Sequence, residues 1–333
     1  MSKRSITFFN LWVLFAGMLN FQPVELGEIL HGGMHQEIHQ ETLAHEGSVE
    51  YNHIGHFGDN DYAQKFDALP ITLHPGSEFV QGDKPTPRSL NHCKSLVYRT
   101  LQSLPKDAVR QLKNLTLYFS ATGNRGFGGG STIILRCSNV SDEELVGVLV
   151  HEMGHVTDTG LLQGNEVNGL SDFKDGNTVI YNDDPSLNFY RLDFASEKSF
   201  NKTVKPLDFV SGYALSDPFE DFAESYAYYV LHGNDFRELI KSNEVLLKKY
   251  LFLKTRVFSG KEFFNGDTGK NGNVAGDAAK VELDKRDYDT TVLHYDLTKF
   301  FAAEDQTGQE ISQGNGNQNG GGRQNGRLSA KKD

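Results

Sequence analysis

The sequence predicts an α+β domain in which two buried helices accompany a small mixed sheet. Three observations lead to this prediction. Apolar residues follow a helical pattern in segments 85–104, 141–159 and 217–232. Two short apolar segments, 115–120 and 131–137, have the composition and alternation of strands. Polar and glycine residues gather at the two ends of the 333-residue chain, which favours one core of about 200 residues with flanking tails.

The composition suggests five successive regions. Residues 1–21 are a signal peptide or signal anchor, and residues 22–69 are a polar, histidine-rich linker or propeptide that holds six of the twelve histidines. A histidine stripe that binds metal or senses pH is the alternative for that region. The core domain is expected at residues 70–262. A polar C-terminal extension follows at residues 263–303, and a disordered tail rich in Gly, Asn and Gln occupies residues 304–333.

The first 21 residues bear on localisation. They begin with a short basic start and continue into an apolar run, a pattern typical of export signals. The run is short for a membrane-spanning helix of about 20 residues, and no clear cleavage site follows it. We therefore expect a secreted or extracytoplasmic protein, either released or held at the membrane only through an uncleaved N-terminal segment.

Charge and cysteine content restrict the partners and the compartment. The net charge of −11 argues against nucleic acid or an anionic membrane surface as a partner. The only two cysteines, Cys93 and Cys137, could form a disulfide in an oxidising compartment or remain as buried thiols. A disulfide closing a loop of that length would contribute roughly 4 kcal/mol in the chain-entropy model.

The first half of the core is expected to alternate helices and strands. Segment 85–104 forms an amphipathic helix that Pro105 ends, and a short helix follows over residues 107–112. A glycine-rich loop, residues 121–130, separates the two predicted strands. Its R-G-F-G-G-G run lacks both the Walker spacing and the dinucleotide fingerprint. We expect it to supply flexible backbone beside an active site.

The segment 141–159 carries the strongest chemical signal. Ser141 and Glu144 form a capping-box start, and the following residues are apolar on most sides, as in a central buried helix. Within it, His151, Glu152 and His155 form an H-E-x-x-H pattern. Two imidazoles four residues apart share one helix face and can bind one Zn²⁺, while the glutamate faces a metal-bound water. A chance pentapeptide is the alternative, but its place on a capped, buried helix favours a zinc site.

A second buried helix is expected over residues 217–232. It opens with Asp217 as N-cap, proline at the first helical position and Glu220 at the third. Residues 160–210 before it are expected to be irregular apart from a strand at 178–182, and a further helix should cover residues 235–257.

The third metal ligand separates the classes of zinc peptidase. In the metzincin pattern a third histidine would stand at position 161, which is Leu161 here, and Asp158 replaces the expected glycine. In gluzincins the ligand is a glutamate on a downstream helix, a position that Glu220 fits. Glu220 could instead be a capping-box residue. Glu224, one turn later, could hydrogen-bond a zinc-bound histidine. Asp158 could also orient an imidazole or simply end its helix.

Residues 211–224, read S-G-Y-A-L-S-D-P-F-E-D-F-A-E, resemble the catalytic segment of the anthrax lethal factor-like metallopeptidases, a group that includes secreted pro-pro endopeptidases. The family places a tyrosine seven residues before its glutamate ligand, and Tyr213 stands seven before Glu220. The resemblance covers about residues 90–258. It implies three zinc ligands, a general base, Glu152, and a donor to the oxyanion, Tyr213. The implied ligands are His151, His155 and Glu220.

Two features depart from that family pattern. The interval between His155 and Glu220 is long, which suggests an insertion near the cleft. Nothing in the sequence shows the proline preference of the family, so substrate specificity does not carry over.

These observations predict a secreted zinc metalloendopeptidase of zincin-like fold that acts on protein or peptide substrates. The strand before the zinc helix is expected to bind extended substrate through its backbone. The substrate-binding residues on it would be Ser131, Thr132, Ile133 and Ile134. A non-catalytic exported zinc-binding protein is one alternative, although a structural site has no need of Glu152. A zinc hydrolase acting on cell-wall peptides is the other.

Overall fold

The computed structural model describes residues 59–73, 87–120, 122–266 and 289–302 of the chain. The predicted signal segment, the C-terminal tail and most of the histidine-rich region lie outside these residues. Within the described ranges, none of the helices combines the length and the apolar character needed to cross a bilayer. The mixture of helices and small sheets confirms the coarse α+β prediction.

The main sheet has four strands. They are β1 (Thr72–Leu73), β2 (Asn114–Tyr118), β3 (Gly126–Gly129) and β4 (Thr132–Arg136), in the spatial order β1-β2-β4-β3. The first, second and fourth strands are parallel, and β3 runs antiparallel to β4. The sheet is therefore mixed. Alternate residues of β2 and β4 point into the core, where Leu115, Leu117, Ile133 and Leu135 are fully buried.

Three helices precede or flank this sheet: α1 (Asp59–Asp67), α2 (Pro87–Ser103) and α3 (Lys106–Gln111). A disulfide joins Cys93 of α2 to Cys137 at the end of β4. The packed structure begins before residue 70, earlier than predicted, because Ala63 and Phe66 of α1 are buried. Two buried apolar residues in a nine-residue polar helix leave too weak a periodicity to detect in the sequence.

The two central helices are α4 (Asp142–Val156) and α6 (Pro218–Leu231). The Ser141 side chain caps α4 by accepting a hydrogen bond from the Glu144 amide at 3.1 Å. All residues of α4 from position 145 onward are buried. The helices approach closely because small residues meet: a Cβ at Gly154 would lie 2.8 Å from the Ala223 Cα. This contact fixes the distance between the two helices that carry the predicted ligands.

The interval between these helices is more ordered than predicted. A π-helical turn (Thr157–Leu161) extends α4, and the strands β5 (Leu170–Asp175) and β6 (Thr178–Tyr181) form a hairpin. A short helix α5 (Leu187–Tyr190) and a second hairpin follow. The second hairpin consists of β7 (Phe194–Ser196) and β8 (Ser199–Phe200), and 3₁₀ turns lie at Glu166–Asn168, Pro206–Asp208 and Tyr213–Leu215.

The helix predicted over residues 235–257 is divided. It consists of α7 (Gly233–Leu239), α8 (Glu244–Phe252) and a π-helical turn (Leu253–Val257). The break occurs at Asn243, whose side chain caps α8 by accepting hydrogen bonds from the amides of residues 245 and 246. An Asn side chain competes for backbone donors in this way, which explains the break inside an otherwise helical pattern.

A buried lysine ties α8 to α6. Lys249 Nζ lies 2.6 Å from Asp193 Oδ2 and 2.7 Å from Asp221 Oδ2, and it donates to the carbonyl oxygen of Asp208 at 2.9 Å. All three charged side chains are fully buried. Because Asp221 directly follows Glu220, this ion cluster anchors the first turn of α6.

Residues 289–302 belong to the core, whereas the sequence assigned them to a polar extension. A 3₁₀ turn (Thr290–Val292) is followed by a helical segment at residues 297–302. Tyr295 donates a hydrogen bond to the carbonyl oxygen of Glu143 on α4 at 2.7 Å. The segment buries Tyr295, Leu297, Phe300 and Phe301. The apolar residues are evident in the sequence, but the surface that covers them is distant in the chain.

Candidate metal centre

Three side-chain atoms from the two central helices converge at one point. His151 Nε2 lies 3.2 Å from His155 Nε2 and 3.2 Å from Glu220 Oε2, and His155 Nε2 lies 3.4 Å from Glu220 Oε2. Ligands about 2.0–2.2 Å from a tetrahedral zinc ion stand roughly 3.3–3.5 Å apart. The three atoms therefore have the spacing of ligands to a single metal ion, and this largely buried group could hold one.

Each of the three candidate ligands is positioned by its local backbone. His151 and His155 are one turn apart on α4, so both imidazoles project from one face. Glu220 is the third residue of α6, where the Asp217 side chain caps the helix by accepting hydrogen bonds from the amides of Phe219 and Glu220. Asp217 thus performs the capping. The Glu220 carboxylate lies among the imidazoles and does not have the capping role that the sequence left open.

Electrostatic interactions in the group keep Glu220 charged. Burial disfavours its ionised form, but the charge of His155 and a hydrogen bond from His151 outweigh burial and hold its pKa well below the usual range. Burial likewise opposes protonation of His155, yet the Glu220 charge raises the pKa of His155 to about 9. A buried carboxylate thus attracts positive charge to this point, and a divalent cation would take the place of the protons.

Glu224 fixes the orientation of His151. The two residues are joined by a hydrogen bond of 2.8 Å between His151 Nδ1 and Glu224 Oε1. A carboxylate only accepts, so Nδ1 carries a proton, and Nε2 is directed toward Glu220, where it can bind a metal ion once its own proton is lost. This is the arrangement that a metal-binding histidine requires. The sequence placed Glu224 in this role, and the geometry fits it.

Glu152 lies beside the ligands and is covered by β3. A Cβ at Gly128 would stand 2.7 Å from the Glu152 carbonyl oxygen, and one at Gly126 would collide with the Glu152 carboxylate. Only glycine at these alternate positions lets the strand pass so close to the helix. Burial raises the pKa of Glu152 more than the two neighbouring histidines lower it. The result is a buried carboxylate with increased proton affinity next to the ligand group.

The strand predicted to bind substrate, β4, lies inside the sheet and not at its edge. The loop predicted at 121–130 contains β3, and β4 lies between β2 and β3 with its backbone paired to both. A peptide cannot add to β4 as a further strand, so Thr132, Ile133 and Ile134, with the adjoining Ser131, do not have the predicted role. The strand that ends the sheet beside Glu152 is β3. Glycine has a low β propensity, so this strand was not predicted. The alternation of glycines at positions 126 and 128 could have indicated a strand that lies close against a helix.

Tyr213 reaches the ligand group from the 3₁₀ turn before α6. Its hydroxyl donates a hydrogen bond to Glu220 Oε1 at 3.0 Å, and its ring centre lies 6.1 Å from that of His151. Burial and then the Glu220 charge raise the pKa of Tyr213 well above its usual value. The phenol therefore keeps its proton and remains a hydrogen-bond donor.

Asp158 does not have the orienting role that the sequence considered. It lies on the π-helical turn, and its Oδ2 accepts a hydrogen bond from the Tyr190 hydroxyl at 2.6 Å. In the part of the chain that the structure describes, no hydrogen bond joins it to either imidazole. Burial raises its pKa to about 8. Because the helix widens into a π turn after Val156, Asp158 points toward α5.

Two residues around Glu224 were not predicted. Its Oε2 atom accepts hydrogen bonds from the Ser211 hydroxyl and from the amide and hydroxyl of Thr290, the last two at 2.7 and 2.8 Å. Ser211 opens the segment that carries the family resemblance. Thr290 had no signal, because it lies 66 residues after Glu224 in a segment taken for an extension.

The chain matches none of the protein-family models, curated proteins or solved structures with which it was compared.

Proposed function

We propose that this protein is a zinc-dependent metalloendopeptidase with a zincin-like domain, similar to the lethal factor-like peptidases and exported through its N-terminal segment. The observation that carries the proposal is the meeting, at one buried point, of three ligand atoms spaced for one ion, Glu152 and the Tyr213 hydroxyl. The export signal predicted in residues 1–21 and the resemblance of residues 211–224 support it independently of the geometry.

The donor set favours zinc among common metals. Two imidazole nitrogens and one carboxylate oxygen suit Zn²⁺, whereas Ca²⁺ and Mg²⁺ prefer sites made only of oxygen. Three protein ligands also leave a fourth position available, as in catalytic zinc sites. His151, His155 and Glu220 would hold the ion. When bound, zinc lowers the pKa of a coordinated water and polarises a carbonyl group.

The neighbouring residues supply the proton transfers. Glu152, with its raised pKa, accepts the proton of the attacking water and then delivers it to the leaving amine. Tyr213 donates a hydrogen bond to the oxygen that becomes negative as the water attacks the carbonyl. The strand β3 beside Glu152 gives an extended peptide a backbone along which to lie.

The two rival functions differ in what they require of the site. A non-catalytic zinc-binding protein needs a fourth protein ligand and no base. Among the described residues the candidate metal group has three members, and Glu152 lies next to them. A zinc hydrolase of cell-wall peptides would use the same groups, so it predicts the same site with a different substrate.

Cleavage of a peptide library by the zinc-loaded protein tests the proposal. We expect hydrolysis of internal peptide bonds that a chelator abolishes and added zinc restores. Glu152→Gln should bind zinc normally but hydrolyse roughly 100 to 10,000 times more slowly, because the base is lost. Glu238→Gln, the same change at an exposed glutamate of α7, is the control and should keep full activity.

Full activity of Glu152→Gln would rule out the proposed mechanism. Zinc binding with no cleavage of any library peptide would favour the non-catalytic alternative. Cleavage restricted to cell-wall peptides would favour a zinc hydrolase that acts on the cell wall.

A further inference from the structure

The Oε2 atom of Glu224 receives three hydrogen bonds in a fully buried environment. The Ser211 hydroxyl provides one, and Thr290 provides two, from its amide at 2.7 Å and its hydroxyl at 2.8 Å. Glu224 and Thr290 are both completely inaccessible to solvent. A buried carboxylate oxygen requires such donors, and bonds to a charged acceptor are about twice as strong as neutral ones.

Thr290 is held in this position by contacts on both sides. Asp289 accepts hydrogen bonds from Arg125 and from Thr291, and the Arg125 guanidinium also donates to the Thr291 hydroxyl at 2.8 Å. Arg125 immediately precedes β3, the strand that covers Glu152. The C-terminal segment, residues 289–302, is thus linked both to the ligand-orienting carboxylate and to the strand over the base.

Helix α4 is shaped to receive this segment. A Cβ at Gly147 would lie 3.2 Å from both the Cα and the carbonyl oxygen of Thr291, so the absence of a side chain there admits the 3₁₀ turn. Farther along, Tyr295 bonds to the Glu143 carbonyl and His294 Nδ1 lies 3.1 Å from the Glu143 carboxylate. The segment therefore docks on α4 within one turn of His151, on the side where Glu224 arrives from α6.

We propose that the C-terminal segment helps to form the metal centre. Within it, Thr290 is a positioning residue that acts on His151 through Glu224. The inference rests on metal binding by His151, His155 and Glu220, as in the proposed function. Thr290 holds the Glu224 carboxylate in one orientation, Glu224 holds the proton on His151 Nδ1, and Nε2 is thereby directed to the ion. Residues outside the ligand set that act in this way commonly change metal affinity by 10- to 100-fold.

The affinity for zinc, measured by competition with a chromophoric chelator, is the appropriate readout. Thr290→Val removes the hydroxyl at nearly constant volume and should weaken zinc binding by about 10-fold, since the Thr290 amide and Ser211 still donate to Glu224. Thr290→Ser keeps the hydroxyl and should bind within about twofold of the wild type. Thr298→Val, the same change at an exposed site of the same segment, is the matched control and should leave the affinity unchanged.

A double-mutant cycle separates positioning from simple stabilisation. In a Glu224→Gln background the Thr290→Val change should have no further effect on zinc affinity, because the residue through which Thr290 acts is already altered. The thermal unfolding of the metal-free variants shows how much of any effect is structural. A fall in zinc affinity that is equal in both backgrounds, or that serine does not rescue, would overturn the proposal, as would an unchanged affinity in Thr290→Val.

The Thr290 proposal and the peptidase proposal can fail separately. If the wild-type protein binds zinc but cleaves no peptide, the peptidase assignment falls, and the Thr290 inference is still decided by the affinities. If the wild-type protein does not bind zinc, the two fall together.

Discussion

The Tyr213 hydroxyl donates a hydrogen bond to the carboxylate of Glu220, and in the proposed reaction the same hydroxyl donates to a substrate oxygen. Removal of the hydroxyl in Tyr213→Phe should therefore reduce kcat by roughly 100-fold, the usual effect of losing one donor to an oxyanion. Zinc affinity should change little, because Glu220 keeps both oxygens. Steady-state kinetics on the best library peptide, with metal analysis of the purified variant, would measure the two effects separately.

Tyr98→Phe serves as the control for this change, since Tyr98 is a half-buried tyrosine of α2 that pairs with Tyr62. It should keep wild-type kcat. A Tyr213→Phe enzyme with unchanged kcat would show that the phenol is only a structural neighbour of Glu220.

Individual site residues differed in how far the sequence revealed them. His151, Glu152 and His155 could be predicted because they lie within five residues on a helix whose cap and apolar pattern are local. The prediction of Glu220 as a ligand depended on the start of a second helix and on the family resemblance. Thr290 could not be predicted, since its partner Glu224 is reached only when two distant segments dock. Of the two roles considered for Asp158, that of orienting an imidazole was wrong, because the π turn after Val156 directs its side chain to Tyr190.

At the scale of elements, the glycines of β3 are required by its contact with α4. Gly128→Ala would place a methyl group 2.7 Å from the Glu152 carbonyl oxygen and 2.8 Å from Glu152 Oε2. Because backbone atoms cannot easily shift, the strand must move away from Glu152, the proposed general base. We expect peptide hydrolysis to fall at least about 10-fold while zinc stays bound, because a displacement of about 1 Å at the reacting groups can lower the rate by about 100-fold.

Gly176→Ala is the comparison for this substitution. It lies in the β5–β6 hairpin, where an added Cβ meets nothing within 4 Å but the positive φ of 54° is strained for alanine. It should lower the thermal stability slightly and leave hydrolysis unchanged. If Gly128→Ala hydrolysed peptides at the wild-type rate, β3 would not position Glu152.

The helices and strands themselves were predicted where their signals are local. The caps Ser141 and Asp217 start α4 and α6 as expected, and β2 and β4 lie within one or two residues of their predicted bounds. The edge strand β3 was missed because its stability comes from pairing with β4 and from the helix beneath it, neither of which its glycines reveal. The order of strands in the sheet decides which strand borders the site. That order cannot be read from the sequence of any single segment.

At the scale of the whole molecule, the buried Asp158 should make stability depend on pH. Burial raises its folded-state pKa to about 8 from an ordinary value of 3.8. Between these values the folded protein binds a proton that the unfolded chain does not, so this residue's contribution to the unfolding free energy falls as pH rises from about 4 to about 8. Asp158→Asn should therefore flatten the decline of the metal-free protein's stability across this range.

Denaturant titrations of the metal-free protein at several pH values would measure the effect. Asp172→Asn, the same change at an exposed position of β5, should retain the wild-type slope. An Asp158→Asn protein with an undiminished slope would mean that Asp158 is ionised in the folded state.

The overall extent of the domain could be predicted only in part. A core near residues 70–262 followed from composition, but α1 and residues 289–302 also pack into it. The disulfide between Cys93 and Cys137 links α2 to the end of β4, a pairing that the sequence allowed without deciding it. Both boundary errors have one cause: a short segment with a few apolar residues looks like a tail until its partner surface is known.

Anomalous diffraction at the zinc absorption edge, from crystals of the zinc-loaded protein, tests the central claim most directly. We expect a single strong peak about 2.0–2.2 Å from His151 Nε2, His155 Nε2 and a Glu220 oxygen, with a non-protein ligand in the fourth position. A peak at another site, or a fourth protein ligand closing this one, would contradict the proposal of a catalytic zinc centre.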